Sequence, residues 1–321
     1  MRSMICAALT LLALPVLADP LPSWNDTDTK ERIIGFVDAV TDPAGDDFVP
    51  AADRIAVFDN DGTLWAEQPV YFQLIYAMDR LAQADPATLT TPALEAAAAG
   101  DMAGVMAEGE EGILQVIDAT HAGMSVEAFQ ADVAEWLATS THAQTDMAYT
   151  DMTYQPMVEL LRYLRDEGFV TYIVSGGGVH FIRAFAEDAY GIPPRQVIGS
   201  QLESEYRVTD AGAEIVKSPG VVFIDDKEGK PIAIDRIIGA RPILAGGNSA
   251  GDFAMLEWTT AGDGPRLGLL VHHTDGERAF AYDRDSHVGR LERGLDEGPG
   301  RGWVIVDMAQ DWSRIWTAPP E

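Results

Sequence analysis

The stretch RIAVFDNDGTLW, residues 54–65, decides how the rest of the chain is read. RIAVF is a nearly unbroken apolar run, the pattern of a strand covered on both faces in a parallel sheet. Asp59 and Asp61 follow where that strand should end, and Gly62 then invites a tight turn. Two residues apart on an extended chain, the carboxylates point to the same side. Like charges placed together need a reason, and chemistry at a strand tip supplies one.

Outward from this point, strand and helix patterns alternate. FVTYIVS (169–175), QVIGSQL (196–202), RPILAGGN (241–248), RLGLLVHH (266–273) and GWVIVDM (302–308) read as strands. Helical spacing runs through PMVELLRYLRDEG, VHFIRAFAEDAYG, KPIAIDRIIG and GDFAMLEWTT. EYRVTDAGAEI and GVVFID read as a hairpin pair turning at DDKEGK, residues 225–230. Residues 66–168 change character: they are Ala-, Met- and Glu-rich, with apolar positions at helical spacing in YFQLIYAMDRLAQ, PALEAAAAGDMAGVM, EGILQVIDATH and VEAFQADVAEWLAT. The expectation is a doubly wound, mostly parallel α/β sheet with an all-helical insertion after its first strand. Ligands of such sheets bind beyond the carboxyl ends of the strands. The boundaries are 19–53 for an N-terminal extension containing a helix at DTKERIIGFVDAVT, 54–65 and 169–316 for the core, and 66–168 for the insertion.

Composition narrows the partners. With 321 residues, 47% of them hydrophobic, the chain can bury a large core. Its 22 Lys and Arg against 51 Asp and Glu give a net charge of −29, which excludes nucleic acid and anionic membranes as partners. An anionic substrate would need a locally cationic site. Residues 1–18 carry Arg2, an apolar stretch too short to span a bilayer and a small-residue ending at Ala18, the pattern of a cleaved secretory signal. The single cysteine, Cys6, lies inside that segment, so the mature chain would be an exported, periplasmic or secreted, protein without disulfides.

Three strands end in polar clusters: Asp59-Asn60-Asp61-Gly62-Thr63, Ser175-Gly176-Gly177-Gly178, and Gly247-Asn248-Ser249-Ala250-Gly251-Asp252. Gly229-Lys230 opens a helix between the second and third. Singly, these read as an Asx turn, a helix N-cap, another turn and a surface lysine. In this order and at these topological positions, the sequence resembles the haloacid dehalogenase superfamily, and within it the branch similar to phosphoserine phosphatase. The resemblance covers residues 54–65 and about 169–273, and the insertion falls where that family carries its type 1 cap.

The resemblance implies a phosphatase acting on a small phosphorylated substrate with Mg²⁺ as cofactor. Asp59 would be the nucleophile and Asp61 the general acid and base; Ser175, Gly176, Gly177 and Lys230 would hold the phosphoryl group, the glycine amides lying at a helix N-terminus. The metal would be bound by the Asp59 carboxylate, the Asp61 main-chain carbonyl and Asn248, with Asp252 ligating through water or bracing the others. Asp61 also separates relatives, since dehalogenases lack an acid there and transport ATPases carry Thr. One departure is Asn248, where the family's fourth motif has an acid; it supports an alternative, a catalytically silent protein that binds a phosphorylated ligand. Transfer to an acceptor alcohol is a further alternative. Lys217 competes with Lys230 for the third motif but precedes an apolar strand. Glu67 falls where phosphoserine phosphatases place a cap glutamate, and a helix-start acid explains it equally well. Trp65 reads as core or as pocket mouth, and none of His121, His142, His180 and His287 has ligand-like spacing.

Overall fold

The computed structural model describes residues 19–210 and 212–317, so the expected signal segment, residues 1–18, lies outside the described residues. Seven strands form one sheet: β1 Ile55–Phe58, β2 Val170–Gly178, β3 Val197–Thr209, β4 Gly212–Phe223, β5 Leu244–Gly247, β6 Leu267–His272 and β7 Val304–Asp307. Their order is β4-β3-β2-β1-β5-β6-β7, parallel except for β4, which runs antiparallel to β3. β1 is central, with Ile55 opposite Val170 of β2 and Ala56 opposite Leu244 of β5, and all four of its residues are buried. The apolar run thus fills a doubly covered strand. The strand order turns about β1, and its carboxyl end opens into the crevice where such sheets hold ligands.

The hairpin differs from the expectation. Its strands are longer, and the chain reverses between Thr209 and Gly212, not at residues 225–230. Gly212, at φ +132°, takes a backbone conformation that side chains disfavour, while DDKEGK instead leads into the helix Gly229–Ile238. β2 also continues through the three glycines to Gly178, and the short helix Val179–Arg183 starts only after them. The amides of Gly176 and Gly177 therefore belong to the strand tip and not to a helix N-terminus.

The insertion is helical: Phe72–Leu81, Pro92–Ala98, Met102–Ala107, Gly109–His121 and Val126–Thr139. PALEAAAAGDMAGVM is two helices because Gly100 adopts φ +73° and Asp101 caps the next one, accepting from the Gly104 amide. The first helices share a small core of their own, including Leu74, Leu81, Leu94, Val105 and Val116. The last one does not: Phe129, Val133, Trp136 and Leu137 join the main core, where Trp136 stacks on Tyr149 at 4.6 Å. The N-terminal segment joins it too, through Leu21, Trp24 and the helix Asp28–Thr41, with Trp24 edge-on to Trp312. Among the described residues, no helix is long and apolar enough to cross a membrane.

Candidate active site

Asp59 leaves β1 with its amide bonded to the Gly246 carbonyl of β5, which fixes it at the sheet's carboxyl edge. The next residues fold back at once, the amides of Thr63 and Leu64 donating to the Asn60 carbonyl. Gly62 stands at φ +74°, and a Cβ there would lie 2.1 Å from Asn248 Nδ2 and 2.3 Å from Glu67 Oε1, so only glycine fits. His273, held neutral because burial pushes it down to about 3, donates from Nε2 to the Gly62 carbonyl.

Lys230 organises the charges. Its ammonium donates to Asp59 Oδ1 at 2.6 Å, to Asp252 Oδ1 at 2.6 Å and to the Val174 carbonyl at 2.9 Å. Burial alone would lower the lysine; the carboxylates of Asp252, Asp59 and Asp225 outweigh it and keep the group charged. Burial and the Asp252 charge push the Asp59 carboxyl up, and Lys230 works against both. The first turn of the helix Gly229–Ile238 brings Lys230 to this position. Asp225 was not singled out in the sequence; it is fully buried, neither of its oxygens has a hydrogen-bond partner among the described residues, and burial raises it to about 7.

Asp61 sits beside this group with Oδ1 accepting from Trp65 Nε1 at 2.8 Å, and burial lifts it to about 6, so it gives up its proton closer to neutrality than an ordinary carboxyl. Trp65 is core and site at once: it stacks on Phe185 at 4.4 Å while its indole nitrogen orients Asp61. A Cβ on Gly177 would stand 3.4 Å from Asp61 Oδ2 and 3.3 Å from Ser175 Oγ, which shows how closely the tips of β1 and β2 converge. Ser175 is fully buried and stands behind the cavity wall, its hydroxyl accepting from the Gly177 amide. Gly176 and Gly177 line the cavity themselves.

The fourth motif is a brace. Asp252 Oδ2 accepts from the amides of Asn248 and Ser249, both at 2.9 Å, and from the Ser249 hydroxyl. With Oδ1 on Lys230, both oxygens are engaged, so of the two roles expected for Asp252 the geometry supports bracing. The oxygens suited to a hard cation are Asp59 Oδ2, which has no donor among the described residues, and Asn248 Oδ1, which accepts only from Thr63 at 3.1 Å. In kind this donor set fits Mg²⁺. A carboxyl group stands next to Asn248: Asn248 Nδ2 donates to Glu67 Oε1 at 2.6 Å, and Tyr282 donates to the same oxygen at 2.8 Å. Glu67 is buried and raised by that burial to about 8.

Above these residues lies a cavity of about 370 Å³, with Asp59, Asp61, Lys230 and Asp252 at its base. Gln73, Ile117, His121 and Phe129 of the insertion close one side, and Leu202, Lys217 and Val221 of the hairpin close another. Gln73 ties the insertion to the tip of β2: its carbonyl accepts from the Gly178 amide at 2.7 Å and its amide reaches His121 Nε2 at 2.9 Å. His121 and His180 line the cavity although nothing in their spacing marked them; His142 instead donates to the Gln68 carbonyl.

Comparison with known proteins agrees with this architecture. The model of the haloacid dehalogenase-like hydrolase family matches residues 56–257, and the chain belongs to that family. Among solved structures it is similar to a conserved functionally unknown protein from Anaerococcus prevotii DSM 20548, at 17% identity and TM-score 0.56, over 80% of this chain and 88% of that one. It is also similar to a protein of unknown function from Bordetella pertussis Tohama I, at 16% identity and TM-score 0.50, over 79% and 98%. A phosphoserine phosphohydrolase-like protein from Francisella tularensis subsp. tularensis SCHU S4 matches at 16% identity and TM-score 0.38, over 77% and 98%. No curated protein matches the sequence.

Proposed function

We propose that the chain is an exported, Mg²⁺-dependent phosphatase that hydrolyses small phosphate monoesters through an aspartyl-phosphate on Asp59. The observation that carries this reading is Lys230 held between Asp59 and Asp252, with the Asp61 carboxyl beside it at the base of one cavity. Export rests on the sequence of residues 1–18.

The Asp59 carboxylate attacks phosphorus in line, forming the acyl phosphate as the ester P–O bond breaks. Asp61 gives its proton to the departing alkoxide, a role suited to an acid near 6. Asp61, now ionised, takes a proton from the water that attacks the aspartyl-phosphate, releasing phosphate and restoring Asp59. Lys230 and the strand-tip amides of Gly176 and Gly177 hold the phosphoryl oxygens, so positioning is built into backbone and needs no rearrangement. Mg²⁺, held by Asp59 and Asn248, would supply the further positive charge that lets an anion attack an anion.

The test is phosphate release from a panel of small phosphomonoesters by residues 19–321, with Mg²⁺ or with EDTA, beside Asp59→Asn. Release that requires Mg²⁺ and Asp59 is expected. A folded protein with metal present that releases nothing from any ester would overturn the reading and favour a silent phosphate-binding role, toward which Asn248 points. Added alcohol that collects the phosphoryl group would redirect it to transfer.

A further inference from the structure

Three lysines are buried among the described residues: Lys30, Lys217 and Lys230. Lys230 has Asp59 and Asp252 as partners, and Lys30 has Asp19 and Asp26. Lys217, only 4% exposed, has no carboxylate within ion-pair distance among the described residues, in a chain where acids outnumber bases by more than two to one. Its ammonium meets His180 Nδ1 at 3.2 Å and the face of Phe129 at 4.6 Å. His180 is neutral, pushed down to about 4 by burial and by the charges of Lys217 and Arg183, so it offers a lone pair but no countercharge. Lys217 lines the same cavity as the four charged residues at its base. Burying an unpaired cation costs stability unless something else compensates it.

The backbone holds this residue in place without help from its side chain. The Lys217 amide donates to Met124 O at 2.9 Å, its carbonyl accepts from the Gly123 amide at 2.8 Å, and Val216 bridges to Ser125. The link between two insertion helices is therefore laid along β4, and the lysine is aimed inward from a fixed frame. Ile117, Phe129, Leu202 and Val221 give the same cavity an apolar surface beside the imidazoles of His121 and His180.

We propose that Lys217 forms a second anion subsite, and that the natural substrate is a phosphate monoester whose alcohol carries an anionic substituent, a carboxylate or a second phosphate, beyond an apolar contact surface. The substituent supplies the countercharge that the protein withholds from Lys217, and the phosphoryl group to be removed sits on Asp59. This rests on the phosphatase reading for turnover, but binding tests it separately.

Two matched pairs differ in the second anion: 3-phosphoglycerate against glycerol 3-phosphate, and fructose 1,6-bisphosphate against fructose 6-phosphate. Affinities are measured calorimetrically for each on Asp59→Asn and on the same variant with Lys217→Met, and kcat/KM on the otherwise intact chain with and without Lys217→Met. A charge-assisted contact predicts about ten- to hundredfold preference for the doubly anionic member of at least one pair, and collapse of that ratio in Lys217→Met. Whichever pair shows it distinguishes carboxylate from phosphate. Lys217→Arg keeps the charge and should retain a preference, which a purely structural role would not predict. Equal binding within both pairs, or a preference that survives Lys217→Met, overturns the subsite. Charge-dependent binding without turnover of any ester overturns the phosphatase reading alone.

Discussion

Replacing Lys217 by methionine is expected to make the folded protein more stable at neutral pH even as it narrows what the cavity can hold. The ammonium is buried without a carboxylate, and burial pulls it down to about 8 from its ordinary 10.5. At 1.36 kcal/mol for each tenfold change in proton affinity, keeping it charged in the folded chain costs about 3 kcal/mol. The contact with Phe129 and the hydrogen bond to His180 return about 1–2 kcal/mol of that, so the variant should gain about 1–2 kcal/mol. The sign follows from proton binding. Below pH 8 both states are protonated and the cost is fully present; between pH 8 and 10.5 the unfolded chain still binds the proton that the folded chain has lost, so wild-type stability rises relative to the variant. Urea denaturation of both proteins at pH 7 and at pH 10, without ligand, measures the gap. A variant less stable than wild type at pH 7, or a gap that does not shrink by pH 10, would refute the argument that this lysine stands uncompensated.

Lys230→Met removes the cation between Asp59 and Asp252 and leaves buried carboxylates unpaired, so chemical denaturation at pH 8 should show a loss of about 3–5 kcal/mol. Asp61→Asn removes the proton donor while keeping the acceptor oxygen that Trp65 reaches; steady-state rates on alkyl phosphates should fall about 10²–10⁴-fold, and less on aryl phosphates whose leaving groups need no proton. Asn248→Asp removes the donor to Glu67 and brings a second carboxyl to the 2.6 Å contact, in a buried pocket that disfavours charge. Its melting temperature without metal should drop, and added Mg²⁺ should raise it by more than it raises the wild type.

The central strands were legible because burial on both faces leaves only apolar residues in RIAVF, VTYIV and ILA, and the polar residues that end them mark the crevice without any knowledge of contacts. Lys230 was legible for the same reason: it opens a helix whose start faces that crevice. The hairpin was harder, since TDAG and DDKEGK are both turn-forming, and long-range pairing of β3 with β4 decided between them. The Glu67 to Asn248 contact spans 181 residues and Gln73 to Gly178 spans 105, separations at which local spacing carries no signal. Lys217 reads in sequence as a weaker copy of Lys230; what sets it apart is that no carboxylate among the described residues lies within ion-pair distance of it, which only the packed chain reveals.

The link along β4 at residues 123–125 has an engineering consequence. Every residue assigned to phosphoryl chemistry sits on β1, β2, β5, the turns at their ends or the helix Gly229–Ile238, whereas Lys217 sits on a hairpin that contributes no reacting atom. The two sets of residues are carried by separate stretches of polypeptide. Hairpins exchanged as cassettes between homologous chains, with their partner residues 123–125 moved alongside, would be expected to change which alcohols are accepted while the hydrolytic machinery stays the same.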